Sequence, residues 1–597
     1  MVFQDFDQIS ERRRAERERK FRKRVTIGVI TGFVVLVLIA AGVVAVVANN
    51  NDSGGHSNKA SGSPQNNKSP PSSSTNNVIK SEKVIKTICD STDYKDKCQE
   101  SLSQAAKKQP ELSQPKDFIK VAITAASDEL EKAFNKTSTF NFSSPQAKSA
   151  FEDCKVLVET ALNELNDTVS HIGDNATVAE LSRKTPDLNS WLSAVISYQQ
   201  TCVDGFPDGK LKGDMQNLFT SSKQLTSNSL ALVAEVASFL SSFQTPPAGG
   251  APTTRHLLDS DSDGFPNWVA HEDRRMLKAN DVKLTPNVTV AKDGSGKFKT
   301  ITEALNAMPK TYQGRYVIYV KEGIYDETVM VTKDMVNVTI FGDGSQKSII
   351  TGSKNFVDGV STFKTASFAA LGDGFMGKAM GFRNTAGPEK HQAVAARVQA
   401  DRAIFVNCRF EGYQDTLYAQ THRQFYRSCV IAGTVDFIFG DAAAVFQNCN
   451  LVVRKPMDNQ QNLVTAQGRT DKRETTGFVL QNCKILADKK LEPVKTKSYL
   501  GRPWKEFSRT VVMESTIDNL IHPDGWFPWQ GDFALKTLYY AEYNNKGPGA
   551  KTTARVKWPG FKVIDKKEAT QFTVENFLQG NNWLNATGVP VVFAFYN

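Results

Sequence analysis

Histidine is scarce in this chain of 597 residues, and its scarcity argues against one class of chemistry. The seven histidines are scattered and form neither a His-x-His nor a His-Glu-x-x-His pattern. The eight cysteines include no Cys-x-x-Cys pair of the kind that holds zinc. The sequence therefore predicts a protein with no metal site and no cofactor.

Basic residues interleaved with aromatic ones, a mark of nucleic-acid binding, are missing as well. The formal net charge of +10 is moderate and suits an acidic partner, such as a polyuronic acid, a nucleic acid or a membrane surface. Because no nucleic-acid motif accompanies this charge, we expect no nucleic-acid partner.

One long uncharged run lies near the N-terminus. Residues 12–24 hold nine Lys or Arg against two Glu, and residues 25–48 then carry no charge. Such a run is long enough to cross a bilayer, and its basic flank places the N-terminus in the cytoplasm. We expect a cytoplasmic tail over residues 1–24 and a transmembrane signal anchor over 25–48, the alternative being a cleaved signal peptide. Either one brings the rest of the chain into the secretory pathway.

Glycine and proline are sparse over residues 79–243, and no strand-like alternation is sustained there. Phe118, Val121 and Ala122 fall on one helical face, as expected for an amphipathic helix. The pattern predicts an all-α domain, a four-helix bundle, without a catalytic cluster. It follows a segment, residues 49–77, whose Asn, Ser, Pro and Gly content is typical of a flexible stalk.

Features of an exported protein accompany this domain. Its four cysteines allow the pairs Cys89–Cys98 and Cys154–Cys202, although spacing alone does not decide the connectivity. Sequons that permit N-glycosylation begin at Asn135, Asn141, Asn166, Asn175, Asn287, Asn337 and Asn585.

A linker rich in proline and glycine opens residues 244–277. Basic sites follow at Arg255 and at Arg274-Arg275. An exposed dibasic stretch between domains is a good protease target. A solvated loop without processing is the alternative.

Residues 278–597 have a different pattern, in which Val, Ile, Phe and Thr alternate with polar residues and glycines mark turns. Similar segments recur around Cys408, Cys429, Cys449 and Cys483, the first three with a period near 20 residues. Such a period suggests a solenoid of stacked coils. We therefore predict an all-β domain, a right-handed parallel β-helix, with aliphatic, asparagine and cysteine ladders in its interior.

Asp415 and Asp436 occupy equivalent places in consecutive repeats, each seven residues after a cysteine. Because neighbouring strands lie about 4.8 Å apart, residues in register on adjacent coils sit side by side. Two carboxylates that close cannot both ionise freely, so the pair can supply one acid and one base. A lone aspartate in such a turn is usually only a turn former. It is the register of the two that favours catalysis.

Five segments resemble, in order, the signature segments of plant pectin methylesterases. They are Gly323-Ile-Tyr-Asp-Glu327, Gln392-Ala-Val-Ala395, Gln414-Asp-Thr-Leu417, Asp436-Phe-Ile-Phe-Gly440 and Leu500-Gly-Arg-Pro-Trp504. The helical domain resembles the pectin methylesterase/invertase inhibitor domain, which precedes the enzyme in the long-precursor class. The two basic sites resemble that class's processing motifs, with Met276 in place of the usual leucine. This implies a subtilisin-like processing protease as a partner.

The resemblance implies roles for individual residues in the hydrolysis of a methyl ester. Asp436 would be the nucleophile, and Asp415 would act first as the acid and then as the base. Arg502 would pair with Asp436 and keep it ionised. Gln392 and Gln414 would donate hydrogen bonds to the oxyanion, although an internal amide ladder is an alternative.

Four residues match family contacts to the substrate: Thr362, Gln392, Arg502 and Trp504. Trp504 would be a stacking platform for a sugar ring, or would serve packing alone. Tyr325 and Glu327 match a motif without a chemical role that follows from their side chains, and we predict a structural role for them.

The cysteines of the β-helix depart from the family pattern. Cys449 and Cys483 match a family disulfide. Cys408 matches another family cysteine, but its usual partner position is Gly381 here. Cys408 and Cys429 are stacked and either pair or remain buried thiols. We favour thiols, because a disulfide between coils needs favourable geometry.

The leading hypothesis is a pectinesterase that acts on cell-wall homogalacturonan, with the helical domain as an autoinhibitory pro-region in a membrane-anchored precursor. One alternative is a β-helix glycosidase or lyase on the same polymer, since paired carboxylates about 5 Å apart also suit a retaining glycosidase. Two amides and an arginine fit an ester carbonyl better, and a lyase would want a clustered calcium site. The other alternative is a chain that acts mainly as an inhibitor or binding module.

Overall fold

The computed structural model describes residues 82–109, 112, 114–173, 177–235, 284–491 and 496–596. By its internal contacts the chain separates into residues 1–71 and residues 72–597, and all described residues belong to the second unit. The predicted tail, signal anchor, stalk and linker with its processing sites lie outside the described residues. None of the helices in the described ranges combines the length and the apolar composition that a bilayer crossing requires.

The first described domain, residues 82–235, is helical, and we call it the module. Its main helices are α1 (Lys95–Lys108), α2 (Pro115–Asn135), α3 (Pro145–Ile172), α4 (Val178–Asp204) and α5 (Lys210–Ala234). The four longest pack as neighbours in the order α2, α3, α4, α5, and α5 packs against α2 again. The predicted helical domain is therefore confirmed.

Local signals in the sequence start these helices. The Ala147 N–H donates to the Ser144 side chain at 3.1 Å, which caps α3. Thr177 and Glu180 bond to each other's backbone as a capping box at the start of α4. The apolar faces are buried in one core, and Phe118 is nearly inaccessible. The predicted pairs Cys89–Cys98 and Cys154–Cys202 both form disulfides.

The second domain consists of three parallel sheets. Sheet 1 contains β1 (Val288–Val290), β2 (Tyr316–Val320), β5 (Val338–Gly342), β8 (Met376–Lys378), β11 (Ala403–Val406), β14 (Arg423–Arg427), β17 (Ala443–Gln447), β20 (Gly477–Gln481), β23 (Arg509–Met513), β25 (Tyr539–Tyr543) and β26 (Phe561–Val563). Sheet 2 contains β3 (Gly323–Asp326), β6 (Ser348–Gly352), β9 (Gly381–Asn384), β12 (Arg409–Glu411), β15 (Val430–Gly433), β18 (Asn450–Val453), β21 (Lys484–Ala487) and β24 (Thr516–Ile517). Sheet 3 contains β4 (Val329–Val331), β7 (Phe368–Ala370), β10 (Ala396–Val398), β13 (Leu417–Ala419), β16 (Ile438–Gly440), β19 (Asn462–Gln467) and β22 (Ser498–Gly501). Short helices lie at α6 (Ile301–Asn306), α7 (Lys566–Ala569) and α8 (Val574–Phe577).

The central coils contribute one strand to each sheet in turn, as β10, β11 and β12 do. Equivalent residues of successive coils are in register, so that Phe405 pairs with Tyr426 and Tyr426 with Phe446. Their rings stack in the interior with centroids 5.2 and 4.6 Å apart. Parallel coils of this kind are typical of a β-helix, and the 20-residue period of the sequence is the length of one coil.

The repeated Asn-Cys segments form the corners between sheets 1 and 2. Asn407, Ser428, Asn448 and Asn482 have φ angles from 52 to 58°, a left-handed conformation that asparagine tolerates well. This corner turns the side chain outward, so Asn407 and Asn448 are exposed. The prediction of an interior asparagine ladder is therefore wrong, whereas the next residue of each repeat, the cysteine, does face inward.

Cys408, Cys429, Cys449 and Cys483 are all buried thiols. They stack because the residues that follow them pair in sheet 2. The interpretation of Cys408 and Cys429 as thiols is confirmed. The disulfide that the family pattern implied for Cys449 and Cys483 is not formed. The thiol of Cys483 instead donates to the Phe446 carbonyl oxygen at 3.1 Å.

Glu327 and Tyr325 have structural roles, as predicted. The Glu327 carboxylate accepts from the backbone N–H groups of Ile301 at 2.8 Å and Thr302 at 2.9 Å, the orphan donors at the start of α6. The buried Tyr325 hydroxyl donates to the Lys321 carbonyl oxygen at 2.9 Å. Both side chains fasten the first coils of the β-helix.

Candidate active site

The predicted site residues converge on sheet 3. Gln392, the Gln414–Asp415 pair and Asp436 precede β10, β13 and β16, while Arg502 directly follows β22. The strand order of this sheet is β4, β7, β10, β13, β16, β19, β22, so four different coils contribute. Thr362 lies in the short helical turn that leads to β7.

Asp415 and Asp436 are in register. Leu417 pairs with Ile438. Asp415 and Asp436 lie two residues before these paired residues, just ahead of β13 and β16. Both have a left-handed backbone, with φ angles of 62 and 50°. Such conformations cost energy for residues other than glycine and cluster at functional sites. Because register and backbone conformation agree, the two carboxyl groups lie side by side.

The environment of Asp415 favours its protonated form. Asp415 is only 8% exposed. Burial raises the pKa of Asp415 well above that of an ordinary carboxyl group, the charge of Asp436 raises it further, and Arg502 lowers it less. Asp415 can therefore donate a proton at a pH where an exposed aspartate would be ionised.

Arg502 donates two hydrogen bonds to the Asp436 carboxylate, one to each oxygen. Its Nε donates to Oδ1 at 2.9 Å, and its Nη2 donates to Oδ2 at 2.6 Å. Burial alone would lower the pKa of Arg502, but the Asp436 charge beside it raises that pKa. The guanidinium also lies over the Trp529 ring, 4.2 Å from its centroid. This bidentate geometry fixes the orientation of the carboxylate and supplies its countercharge.

Gln392 and Gln414 lie on adjacent coils. The Ala393 N–H donates to the Gln414 carbonyl oxygen at 3.2 Å, which places the two glutamines beside each other. The side-chain oxygen of each is buried without a hydrogen-bond partner in the described part of the chain. Neither amide nitrogen donates a hydrogen bond within those residues. Both N–H groups are thus available to an oxygen atom of a ligand.

An aromatic surface continues from these polar groups. The rings of Tyr418 and Phe439 stack at 4.3 Å, and Phe439 meets the edge of Trp504 at 6.0 Å. A Cβ atom on Gly468 would come within 2.8 Å of the indole, so the position of Trp504 requires glycine there. The sequence analysis missed Tyr418, Phe439 and Trp529. The signal for the first two was their equivalent place, three residues after Asp415 and Asp436.

The module lies directly against this surface. Ser193, Ser197 and Thr201 are four residues apart, so they share one face of α4. That face contacts β13 of sheet 3 and segments that follow strands of this sheet. Its contacts are the Thr475 N–H donating to Ser193 Oγ at 3.1 Å, Ser197 Oγ donating to the Gln420 carbonyl oxygen at 3.3 Å, and Thr201 Oγ1 at 3.4 Å from the Tyr418 hydroxyl.

A buried pair joins α3 of the module to the turn after β13. His422 Nε2 lies 3.1 Å from Glu164 Oε1, and Lys333 Nζ lies 3.5 Å from the other carboxylate oxygen. Burial alone would lower the pKa of His422, but Glu164 raises it above the ordinary value. Burial alone would raise the pKa of Glu164, but His422 lowers it. The geometry favours the charged form of both residues while the module is docked.

Within the described ranges, no three side chains of His, Cys, Asp or Glu come together in a way that would hold a metal ion. The groups that do converge are a carboxylate paired with arginine, a carboxyl group of raised pKa beside it, and two free amide donors. A nucleophile, an acid and oxyanion donors are the set that acyl transfer needs.

Two protein families match the chain, one at each domain. The family described as Pectinesterase matches residues 287–581. The family described as Plant invertase/pectin methylesterase inhibitor matches residues 83–232. The first range lies in the parallel coils and the second in the module.

Relatives match the chain along its whole length. Putative pectinesterase/pectinesterase inhibitor 45 of Arabidopsis thaliana is 52% identical over 100% of both chains. Probable pectinesterase/pectinesterase inhibitor 13 of the same plant is 53% identical over 100% of both. Among solved structures, the pectin methylesterase from carrot aligns all of its chain with 53% of this one, at 51% identity and a TM-score of 0.52.

Proposed function

Because this chain belongs to the pectinesterase family and carries an inhibitor-like domain, it is a carboxylic ester hydrolase, and we propose that Asp436 is its nucleophile. The reaction removes methyl groups from the esters of homogalacturonan. Each turnover releases methanol and leaves a free carboxylate on the polymer.

In the first half-reaction, an Asp436 oxygen attacks the ester carbonyl carbon. The amide N–H groups of Gln392 and Gln414 donate to the oxyanion of the tetrahedral intermediate. The intermediate then collapses and the bond to the methoxy oxygen breaks. That oxygen takes the proton of Asp415 and leaves as methanol, so an anhydride joins Asp436 to the sugar.

In the second half-reaction, water attacks the sugar's carbonyl carbon. Asp415, now a carboxylate, accepts a proton from this water and returns to its starting form. The second tetrahedral intermediate collapses and frees the Asp436 carboxylate. Arg502 stays paired with Asp436 in the resting enzyme, while Thr362 and Trp504 contact the polymer, Trp504 as a stacking platform for a sugar ring.

One observation carries this assignment. Asp415 has a raised pKa and lies in register with Asp436, which Arg502 holds in a bidentate pair. The two equivalent aspartates are thus made chemically different by their surroundings.

The test is a methanol-release assay on residues 278–597 with highly methylated pectin. The carrot enzyme, whose whole chain aligns with 53% of this one, indicates that the β-helix folds without the module. We expect methanol release without shortening of the polymer. Shortening of the polymer without methanol would favour a glycosidase or lyase instead.

Arg502→Lys is the sharpest variant in this assay, because it keeps the charge but loses the two parallel hydrogen bonds. We expect methanol release to fall by about 10²-fold, the order found when one fixed electrostatic contact is removed from an active site. Full activity in Arg502→Lys would show that the orientation of Asp436 is unimportant.

The contact of α4 with sheet 3 supports a second proposal, that the module inhibits the esterase in the full-length chain. Residues 82–235 should lower methanol release by residues 278–597 when the two are mixed. Esterase activity that is equal in the full-length chain and in the β-helix alone would contradict inhibition.

Other parts of the proposal rest on the sequence. The protein acts in the cell wall, and residues 25–48 anchor its precursor. A subtilisin-like protease cleaves at the Arg255 and Arg274-Arg275 sites. Changing these three arginines to alanine together should retain the long form, and a normal mature fragment would contradict processing there. We also infer that the coils wind in the right-handed sense and that α2 to α5 form a four-helix bundle.

A further inference from the structure

Ion pairs join the module to the β-helix, with the negative charge on the module and the positive charge on the β-helix. The module, residues 82–235, holds 22 Asp or Glu against 17 Lys or Arg, although the whole chain has a net charge of +10. Each ion pair between the two domains in the described residues has its carboxylate on the module. The pairs are Asp93 with Lys472 and Arg473, Asp153 with Lys364, Glu164 with Lys333 and His422, Asp187 with Arg402 and Arg423, and Asp204 with Lys505.

Some of these cations would stay neutralised without the module. Lys333 also pairs with Asp373 at 3.2 Å, and Arg423 pairs with Asp401 at 2.5 Å. Both of those carboxylates belong to the β-helix. Four other Lys or Arg side chains pair, within the described residues, only with carboxylates of the module. We call them the docking cations: Lys364, Lys472, Arg473 and Lys505.

The docking cations flank the catalytic coils. Lys364 ends the turn that begins at Thr362 and leads to β7, whereas Lys472 and Arg473 follow β19. These two strands are four steps apart in sheet 3, about 19 Å at the usual strand spacing, and β13 and β16 lie between them. Lys505 follows Trp504. A polymer that crosses the sheet over Asp415 and Asp436 therefore passes within reach of cations on both sides.

Two docking cations remain accessible while the module is in place. The side chains of Lys364 and Lys472 are 49 and 56% exposed. Each is held by one carboxylate at 2.6 Å. The Lys472–Asp93 pair is accessible on both sides, and exposed ion pairs are weak and exchange partners readily. Asp153 is buried, so only the lysine of the Lys364–Asp153 pair is accessible. A second polyanion can thus begin to compete at Lys472 before the module leaves.

We propose that the docking cations bind the free carboxylates of de-esterified galacturonan, and that Asp93, Asp153 and Asp204 of the module occupy the same positions in the full-length chain. This inference rests on the proposed function, because that reaction leaves a uronate carboxylate wherever an ester has been hydrolysed. An acidic stretch of the polymer then competes with the module, whereas a fully esterified stretch does not.

The first test measures binding to residues 278–597 by calorimetry at low salt. The ligands are unesterified and fully methyl-esterified oligogalacturonides of equal length. We expect the unesterified oligomer to bind at least tenfold more tightly, and most of this difference to disappear in the Lys472→Ala/Arg473→Ala variant. The matched control is Lys566→Ala/Lys567→Ala, which removes two adjacent exposed lysines in α7 and should change nothing. Equal affinity for both oligomers, or unchanged affinity in the Lys472→Ala/Arg473→Ala variant, would overturn the inference.

The second test uses the full-length chain and follows hydrogen exchange in α4. Unesterified oligogalacturonide should increase exchange there, and polyglutamate of equal charge should not. An equal effect of both polyanions would mean non-specific screening, and no effect of either would mean that the module does not compete; each result overturns the inference. Methanol release by residues 278–597, which lack the module, is measured in parallel. Its absence would contradict the esterase assignment and leave the binding result to be judged by itself.

Discussion

The module and the β-helix meet at one surface but are stabilised in different ways. In the module, α3 and α4 begin at side-chain caps, and two disulfides cross-link the domain, one of them over 48 residues. The coils of the β-helix depend on their neighbours, through registered strands and stacked side chains, and their cysteines are thiols. The module can therefore be weakened by itself, whereas a loss of register in the β-helix would separate Asp415 from Asp436.

The two domains also contribute different chemical groups to that surface. The β-helix contributes the paired carboxyl groups of Asp415 and Asp436, the amides and the cations, and the module contributes carboxylates and small hydroxyl side chains. Changes at the carboxyl groups or amides of the candidate site should therefore alter methanol release by the β-helix itself, whereas changes in the module should alter only how strongly it inhibits the full-length chain.

The largest expected effect belongs to the β-helix. Asp436→Asn should lower methanol release by residues 278–597 by about 10⁴-fold or more, because the nucleophile is lost. Asparagine keeps the size of the side chain, so the thermal unfolding transition should persist. Asp326→Asn, at an exposed position in β3, is the control and should keep full activity. A folded Asp436→Asn variant with normal activity would contradict the mechanism.

The next effect belongs to the module. The Cys154–Cys202 disulfide closes a segment of 48 residues. Replacing both cysteines with alanine should lower the module's free energy of unfolding by about 4 kcal/mol, on the chain-entropy account of cross-links. Denaturant unfolding of the full-length chain should show a shifted module transition and an unchanged β-helix transition. The same replacement at Cys89 and Cys98, which are nine residues apart, should cost about 3 kcal/mol. An equal shift of both transitions would show that the domains do not unfold independently.

The third effect concerns docking and its dependence on pH. The docked module raises the pKa of His422, which faces Glu164, Lys333, Asp401, Tyr198 and Thr421. This contribution to docking is fully present below the ordinary histidine pKa of about 6.5 and is lost as the pH rises through the raised value. Inhibition, measured as the activity of residues 278–597 relative to the full-length chain, should therefore be stronger at pH 5 than at pH 8.

Glu164→Gln should weaken this inhibition about tenfold at pH 5, which corresponds to ~1.4 kcal/mol, and should flatten its pH dependence. His171→Gln changes an exposed histidine of the module and serves as the control. If Glu164→Gln retained the pH dependence of the unchanged protein, the pair with His422 would not be its origin.

The smallest effect tests a residue that fastens the β-helix far from the chemistry. Glu327→Gln should lower the free energy of unfolding of residues 278–597 by about 1 kcal/mol, because a neutral amide oxygen accepts the N–H groups of α6 less strongly than a carboxylate. Methanol release per folded molecule should not change. Glu322→Gln, at an exposed position, should leave stability nearly unaltered. A loss of activity without a loss of stability would assign Glu327 a chemical role after all.

Much of the geometry of the candidate site could be predicted because it follows from register. The equal spacing of Cys408 and Cys429 from the two aspartates placed Asp415 beside Asp436, since one coil is one repeat of the sequence. The helical domain and its disulfides were predictable for a similar reason, because helix periodicity and nearby cysteines are local features. Which residues of a repeat face the interior was harder to predict from the sequence. The left-handed corner conformation of Asn407 turns its side chain outward, and the repeat pattern alone does not show this.

By itself, the sequence determined the two domains, the coil repeat and the residues that meet within a sheet, because strand and helix geometry convert spacing directly into contact. Only the tertiary structure decided which surface of the β-helix the module covers. Glu164 and His422 are 258 residues apart, and Asp93 and Arg473 are 380 apart. No periodicity relates such residues. They meet because two separately folded surfaces fit in shape and charge, and that fit exists only after each domain has formed.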